Sequence, residues 1–143
     1  MSIGRRSRSQ VAKSRPDVYR RDNRECVVGG TFEAVRWPCV GALTVQHRRG
    51  KGMGGSALGD TPEGLICMCV GHNVLQTADA VFAKRCMDLG WAVPRWVADQ
   101  YKLSHIPVFY ADGWHLLADV ERVRISEDTA KAIMEDVYGD LLD

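Results

Sequence analysis

The chain has 143 residues, a hydrophobic share of 45% and a formal net charge of +1. This length fits one domain with a modest core, and no apolar run approaches the about 20 residues that span a bilayer. The basic N-terminus lacks the apolar stretch of a secretory signal, so we expect a cytoplasmic protein with no membrane contact. Five cysteines in a reducing compartment favour free thiols or a metal site over disulfides.

The charge is unevenly distributed along the chain. Residues 1–24 carry eight Arg or Lys and two Asp, whereas residues 126–143 carry six acidic side chains and one Lys. The basic segment has few apolar residues and no periodicity, which predicts a disordered arm. Such an arm is either an electrostatic contact for nucleic acid or a solvated tail.

The first half of the globular region predicts short strands. Residues 31–37 are expected to form a short strand or an irregular stretch that ends before a proline. Leu43–His47 has the β-branched residues of a strand and leads into a glycine-rich loop that runs from residue 48 to about residue 64. Residues 65–67 are short and apolar, and they predict the returning strand.

The second half predicts two helices separated by a hairpin. Apolar residues at helical spacing predict a helix over residues 73–89, with Gly90 at its carboxyl end. Residues 106–117 are expected to form a β-hairpin around an Asp-Gly turn. A serine that can act as an N-cap predicts a last, acidic helix over residues 126–138.

Polar side chains stand where the predicted strands and the first helix meet. Gln46 and His47 end the first strand, His72 lies at the entry of the helix, and Gln76 is one turn later on the same face. Packing of the helix across both strands would bring these four side chains together.

At this point the sequence resembles the HNH nucleases, most closely those encoded by actinobacterial phages. The matching segments are QHRRGKGMGGS (46–56), DTPEGLICMC (60–69), His72, DLGWAV (88–93), IPV (106–108) and DGWHLL (112–117). The resemblance spans roughly residues 25–120. It implies a ββα-metal finger that binds one divalent ion and hydrolyses phosphodiester bonds of double-stranded DNA in the host cytoplasm.

The resemblance also assigns roles to individual residues. His47 matches the general base, a task that suits an imidazole because its pKa lies near neutral pH. Gln46, His72 and Gln76 match positions that bind the divalent ion, which would be Mg²⁺, Mn²⁺ or Zn²⁺.

Three basic residues follow the predicted base. In a nuclease Arg48, Arg49 and Lys51 would contact DNA phosphates, and the alternative is an ordinary solvated loop. His105 and His115 lie outside the motif, and we expect them at the surface or in the hairpin.

The chain departs from the family pattern at two kinds of position. Glu63-Gly64-Leu65 stands where many relatives have an Asn before the second strand. Gln46 and Gln76 would be amide ligands, which bind a hard cation more weakly than carboxylates do. These departures support a second hypothesis, a catalytically weakened HNH scaffold that binds DNA or a protein.

The cysteines suggest a second metal. Many relatives hold a structural zinc ion with two C-x-x-C pairs, and the resemblance implies Cys26, Cys39, Cys67 and Cys69 as the ligands here, at altered spacing. The alternative is that Cys67 and Cys86 are small core side chains.

Together these patterns predict an α+β fold with a ββα-metal, HNH-like core. The predicted organisation is a disordered basic arm (1–24), an HNH-like ββα domain (25–98), a β-hairpin extension (99–125) and an acidic C-terminal helix (126–143). The expected partners are double-stranded DNA and, through the acidic helix, a protein.

Overall fold

The computed structural model describes residues 13–49 and 61–139, and within them the chain is a mixed α+β protein, as predicted. The strands are β1 (Leu43–His47), β2 (Leu65–Cys69), β3 (Val108–Tyr110), β4 (Gly113–Ala118) and β5 (Glu121–Arg124). The helices are α1 (13–21), α2 (Glu33–Arg36), α3 (Val70–Ala78), α4 (Ala80–Asp88), α5 (Arg95–Ala98) and α6 (Glu127–Tyr138), with 3-10 turns at Pro62–Gly64 and Leu103–His105. No helix in these ranges has both the length and the apolar character to cross a membrane.

β1 and β2 form an antiparallel hairpin, and α3 follows β2 directly. Leu43 pairs with Cys69 at one end of the hairpin, and His47 pairs with Leu65 at the other. β1 has the predicted bounds, and β2 runs two residues beyond its predicted end. These two ends of the hairpin carry the two candidate sites described below.

Both faces of β2 are buried. Because side chains alternate along a strand, Ile66 and Met68 pack into the main core, whereas Leu65 and Cys67 pack against Val18 of α1. The hairpin therefore lies between α1 and the core.

Part of the segment that was predicted as a disordered arm is folded. Arg21 ends α1, and its guanidinium and the Asp22 carboxylate form a buried ion pair. Asp22 also accepts hydrogen bonds from the Cys67 backbone N–H and the Tyr110 hydroxyl. The prediction of disorder was wrong for residues 13–24, because this helix covers β2; the residues before it lie outside the described ranges.

Residues 31–37 were predicted as a strand or an irregular stretch, and they contain the one-turn helix α2. The backbone N–H groups of Ala34, Val35 and Trp37 bond to carbonyls three or four residues earlier rather than to a neighbouring strand. Local turn bonding therefore decides the conformation of this segment.

The single helix predicted over residues 73–89 is two helices. Asp79 separates α3 from α4 with an extended backbone (φ −131°, ψ 111°). Its carboxylate accepts hydrogen bonds from the backbone N–H groups of Val81 and Phe82, which makes it the N-cap of α4. Asp79 therefore starts a new helix rather than continuing α3.

β3, β4 and β5 form a second antiparallel sheet in that order. The predicted hairpin is β3–β4, and β5 adds a strand that the sequence did not predict. The main core includes Phe82, Trp91 and Leu117. α6 begins after Ser126, whose hydroxyl accepts a hydrogen bond from the Thr129 N–H, as the sequence predicted.

Gly90 follows α4 in a left-handed conformation (φ +77°), and a Cβ here would lie 1.8 Å from the Pro107 carbonyl oxygen. This close approach lets Trp91 reach the second sheet, where its indole N–H donates to the Phe109 carbonyl. Glycine is therefore required at this position both for its backbone angle and for space.

Candidate metal centre and the opposite end of the hairpin

Three cysteines and one histidine converge at the hairpin end where β2 finishes. The Sγ atoms of Cys26, Cys39 and Cys69 lie 3.4, 3.8 and 3.1 Å from Nδ1 of His72, and all four ligand atoms lie within 4.8 Å of one another. Tetrahedral coordination, with Zn–S near 2.3 Å and Zn–N near 2.0–2.1 Å, places sulfur and nitrogen about 3.5 Å apart. This Cys₃His group can therefore hold a metal ion such as zinc.

Each of the four residues comes from a different part of the fold. Cys26 lies in the turns between α1 and α2, and Cys39 lies between α2 and β1. Cys69 is the last residue of β2, and His72 is in the first turn of α3. A bound ion would therefore connect the segments on either side of α2 to the hairpin.

Backbone contacts also connect these segments to the hairpin and to α3. The Val27 N–H donates to the Cys67 carbonyl, and the Gly71 N–H donates to the Val40 carbonyl, both at 2.8 Å. A Cβ on Gly71 would lie 2.8 Å from the Val40 oxygen, so the chain approaches α3 as closely as a glycine allows.

The orientation of His72 suits a metal ligand. Its Nε2 atom hydrogen-bonds to the Trp37 carbonyl, and its ring stacks on Phe82 with 5.3 Å between centroids. Because a carbonyl only accepts, Nε2 carries the proton and the Nδ1 lone pair faces the three sulfurs.

The thiols of this group differ in their acidity. Burial raises the pKa of Cys26 to about 12. Burial also acts to raise the pKa of Cys69, but hydrogen bonds, first among them those from the His72 and Val40 backbone N–H groups, outweigh it and lower that pKa. Metal binding must therefore release a proton from Cys26 at neutral pH.

Cys67, which the resemblance implied as a zinc ligand, is not among the four. Its sulfur lies 3.8 Å from the Val18 carbonyl on the α1 face of the hairpin, and burial raises its pKa to about 12. His72 takes the fourth position instead. The spacing Cys69-x-x-His72 was the signal in the sequence for this pair.

The predicted ligands of the catalytic ion are not brought together. His72 belongs to the Cys₃His group, and the Gln76 amide donates to the Met68 sulfur at 3.2 Å. Gln46 and His47 lie at the other hairpin end, about 10 and 13 Å along β1 from the Leu43–Cys69 pair at about 3.3 Å per residue. The sequence prediction that His47 faces His72 was therefore wrong.

Gln46 and His47 occupy different environments. Gln46 is only 8% exposed, and its Oε1 atom has no hydrogen-bond partner among the described residues. His47, on the alternate face of the strand, is half-buried. A buried acceptor without a donor is unusual in folded proteins and indicates a place for a cation or another donor.

Arg48 does not reach solvent. Its side chain donates to the backbone carbonyls of Glu63, Gly90, Leu103 and Ile106, at 2.8–2.9 Å. Burial lowers its pKa to about 10, so the guanidinium stays charged at neutral pH. Contact with a DNA phosphate is excluded for Arg48 in this fold, because all of its donors face the interior.

Arg49 lines a pocket of about 470 Å³ that lies between Pro62–Gly64 and the segment of residues 98–104. Its guanidinium pairs with Asp99 at 3.3 Å. Lys51 falls outside the described residues. Of the remaining histidines, His105 is exposed, and His115 is buried in β4.

The described residues thus contain two separate candidate sites. The Cys₃His group lies at one end of the hairpin, and Gln46, His47 and the pocket lie near the other end. Comparisons with family models, curated proteins and solved structures found no match to this chain.

Proposed function

We propose that the protein is an HNH-type endonuclease that hydrolyses DNA phosphodiester bonds, with its ββα core held by a structural zinc ion. The observation that carries this proposal is the end of β1, where the half-buried His47 follows Gln46, whose buried amide oxygen has no hydrogen-bond partner among the described residues. The order of strand, strand and helix and the resemblance of residues 46–56 to the HNH nucleases support it.

In this mechanism His47 takes a proton from a water molecule, which suits an imidazole near neutral pH. The water oxygen then bonds to phosphorus as the bond from phosphorus to the leaving oxygen breaks. Gln46 would supply an amide ligand for a divalent ion, and such an ion stabilises charge on the phosphate and the leaving oxygen.

The zinc ion of this proposal is structural rather than catalytic. Cys26, Cys39, Cys69 and His72 form a complete four-ligand set, which leaves no open position for water or substrate. The group is also at the hairpin end away from His47. Zinc would therefore maintain the fold and take no part in hydrolysis.

Cleavage of supercoiled plasmid by zinc-loaded protein, with Mg²⁺ or Mn²⁺ added, tests the proposal. We expect nicked or linear DNA from the native protein and none from His47→Ala, with the exposed His105→Ala as the matched control that retains cleavage. Gln46→Ala should raise the concentration of divalent ion needed for half-maximal cleavage. Cleavage that is unchanged in a folded His47→Ala variant would refute the role of His47.

A second candidate is a scaffold of HNH type that binds DNA without cutting it. It is favoured by the engagement of His72 with the cysteines and of Gln76 with Met68, which leaves Gln46 as the one predicted ion ligand at the His47 end. Affinity for DNA that falls steeply with salt, with no cleavage under any divalent ion, would select this candidate. A protein partner on the acidic helix α6 remains a prediction.

A further inference from the structure

The pocket beside the end of β1 has no role in the hydrolysis described above. It is lined on one side by Arg49, Thr61 and Glu63, and on the other by a segment that includes Asp99 and Lys102. A volume of about 470 Å³ falls in the range of pockets that hold small ligands. The backbone of Arg49 bridges to that of Val93, so the base of its side chain is fixed at the pocket wall.

Within residues 13–49 and 61–139, the guanidinium of Arg49 has fewer hydrogen-bond partners than it can take. The Arg49 side chain is 16% exposed. Its Nη2 atom contacts Asp99, whose own side chain is 58% exposed. The Nε atom is buried and has no hydrogen-bond partner among the described residues. A guanidinium offers Nε and Nη as a fork that matches two oxygens of one phosphate, whereas Asp99 engages only one arm of the fork.

We propose that this pocket binds a phosphate group of a nucleotide, and that the phosphate displaces Asp99 from Arg49. Arg49 would then donate from both arms of its fork, and Lys102 would add a second positive charge across the pocket. The proposal deepens the proposed function, because its extension to DNA rests on that function. In DNA the site would hold a strand phosphate that flanks the bond cut near His47. Asp99 acts as an internal competitor for the same arginine.

This competition makes an unusual prediction, because removing an acidic residue should strengthen binding. Asp99→Asn frees Arg49 and should tighten binding of a phosphate ligand several-fold. Asp119→Asn, in the exposed turn between β4 and β5, removes the same charge far along the chain and serves as the matched control for net charge. We expect it to change the affinity much less than Asp99→Asn.

Binding is measured with zinc-loaded, full-length protein and no other divalent ion, so that no turnover occurs. One arm uses the fluorescence anisotropy of a labelled 12-base-pair duplex, and the other uses titration calorimetry with a nucleoside 5′-monophosphate. Arg49→Ala should weaken binding about tenfold, as expected for loss of one charge-assisted phosphate contact. Lys102→Ala should weaken it less, and Arg49→Lys should fall between Arg49→Ala and the native protein.

The two arms separate the sources of the phosphate. Effects of the variants on the duplex alone identify a DNA strand, and effects on the monophosphate identify a free nucleotide; either supports the pocket. Unchanged binding in a folded Arg49→Ala variant, or no tightening in Asp99→Asn, would overturn it. If Arg49→Ala still binds and cleaves DNA normally, the pocket inference fails while the nuclease proposal stands. If the native protein never cleaves DNA but the variants shift monophosphate binding as predicted, the pocket inference stands and the nuclease proposal fails.

Discussion

Replacement of Arg48 by Met should destabilise the protein by about 3 kcal/mol or more. Methionine keeps an apolar stem but leaves two buried and two partly buried carbonyls without their donor. Hydrogen bonds from a charged donor contribute roughly 1.5–3 kcal/mol each. Holding the charge inside costs about 3 kcal/mol, because burial lowers the pKa of this arginine from 12.5 to about 10. The net loss of stability is a large part of the roughly 5–15 kcal/mol by which a typical domain is stable.

Urea unfolding of the zinc-loaded protein, followed by tryptophan fluorescence, measures this loss. Arg49→Met is the matched control, because the ion pair that Arg49 forms with the exposed Asp99 is worth about 0–1 kcal/mol. A loss below about 1 kcal/mol for Arg48→Met, or one equal to that of Arg49→Met, would show that the buried hydrogen bonds do not carry the stability assigned to them. A stable Arg48→Met variant that had lost only DNA affinity would restore Arg48 as a phosphate ligand.

Further predictions concern the metal, a glycine and pH. Cys69→Ala should abolish the binding of one zinc ion per chain, measured by mass spectrometry under native conditions, whereas Cys67→Ala should retain it; equal loss in both would contradict the Cys₃His assignment. Gly90→Ala should cost about 3 kcal/mol or more because its Cβ meets the Pro107 carbonyl. Gly41→Ala, with a similar positive φ but only a side-chain contact at 3.4 Å, should cost about 1 kcal/mol; similar losses would discount the clash. Burial lowers the pKa of His115 in the folded protein, so this histidine takes up a proton at a higher pH when the chain is unfolded. The free energy of unfolding therefore falls as the pH drops from about 7 to 5. His115→Gln should flatten that fall, and an unchanged pH dependence of unfolding would assign it to other groups.

The elements that the sequence predicted well depend on residues a few positions apart. The Asp-Gly turn fixed the β3–β4 hairpin, Ser126 marked the start of α6, and Gly90 marked the end of α4. In each case one or two residues satisfy or permit a local backbone conformation, so no knowledge of the tertiary fold was needed.

The break between α3 and α4 at Asp79 was not predicted, and the reason is also local. The apolar residues continue at helical spacing through both α3 and α4, so the pattern predicted one helix. Asp79 is a residue type that caps helices, but the sequence analysis did not predict a cap there.

The metal ligands and Arg48 could not be predicted in the same way. Cys67 and Cys69 are two positions apart on one strand, and alternation alone assigns them to the same face. The packing of Val18 against Cys67 distinguishes the two cysteines in the structure. Val18 belongs to α1, a helix that was not predicted. Likewise, the four carbonyls around Arg48 come from segments up to 58 residues away, so its burial is a property of the tertiary fold.

The spacing of the Cys₃His group along the chain also sets an order of events during synthesis. His72 comes 46 residues after Cys26 and 33 after Cys39. A ribosome adding about 5–20 residues per second takes roughly 2–7 s to extend the chain from Cys39 to His72. During that interval a nascent chain can offer a metal ion only an incomplete set of ligands. Binding of an ion by the complete group would therefore wait until His72 of α3 has been made, when β1 already has its partner strand.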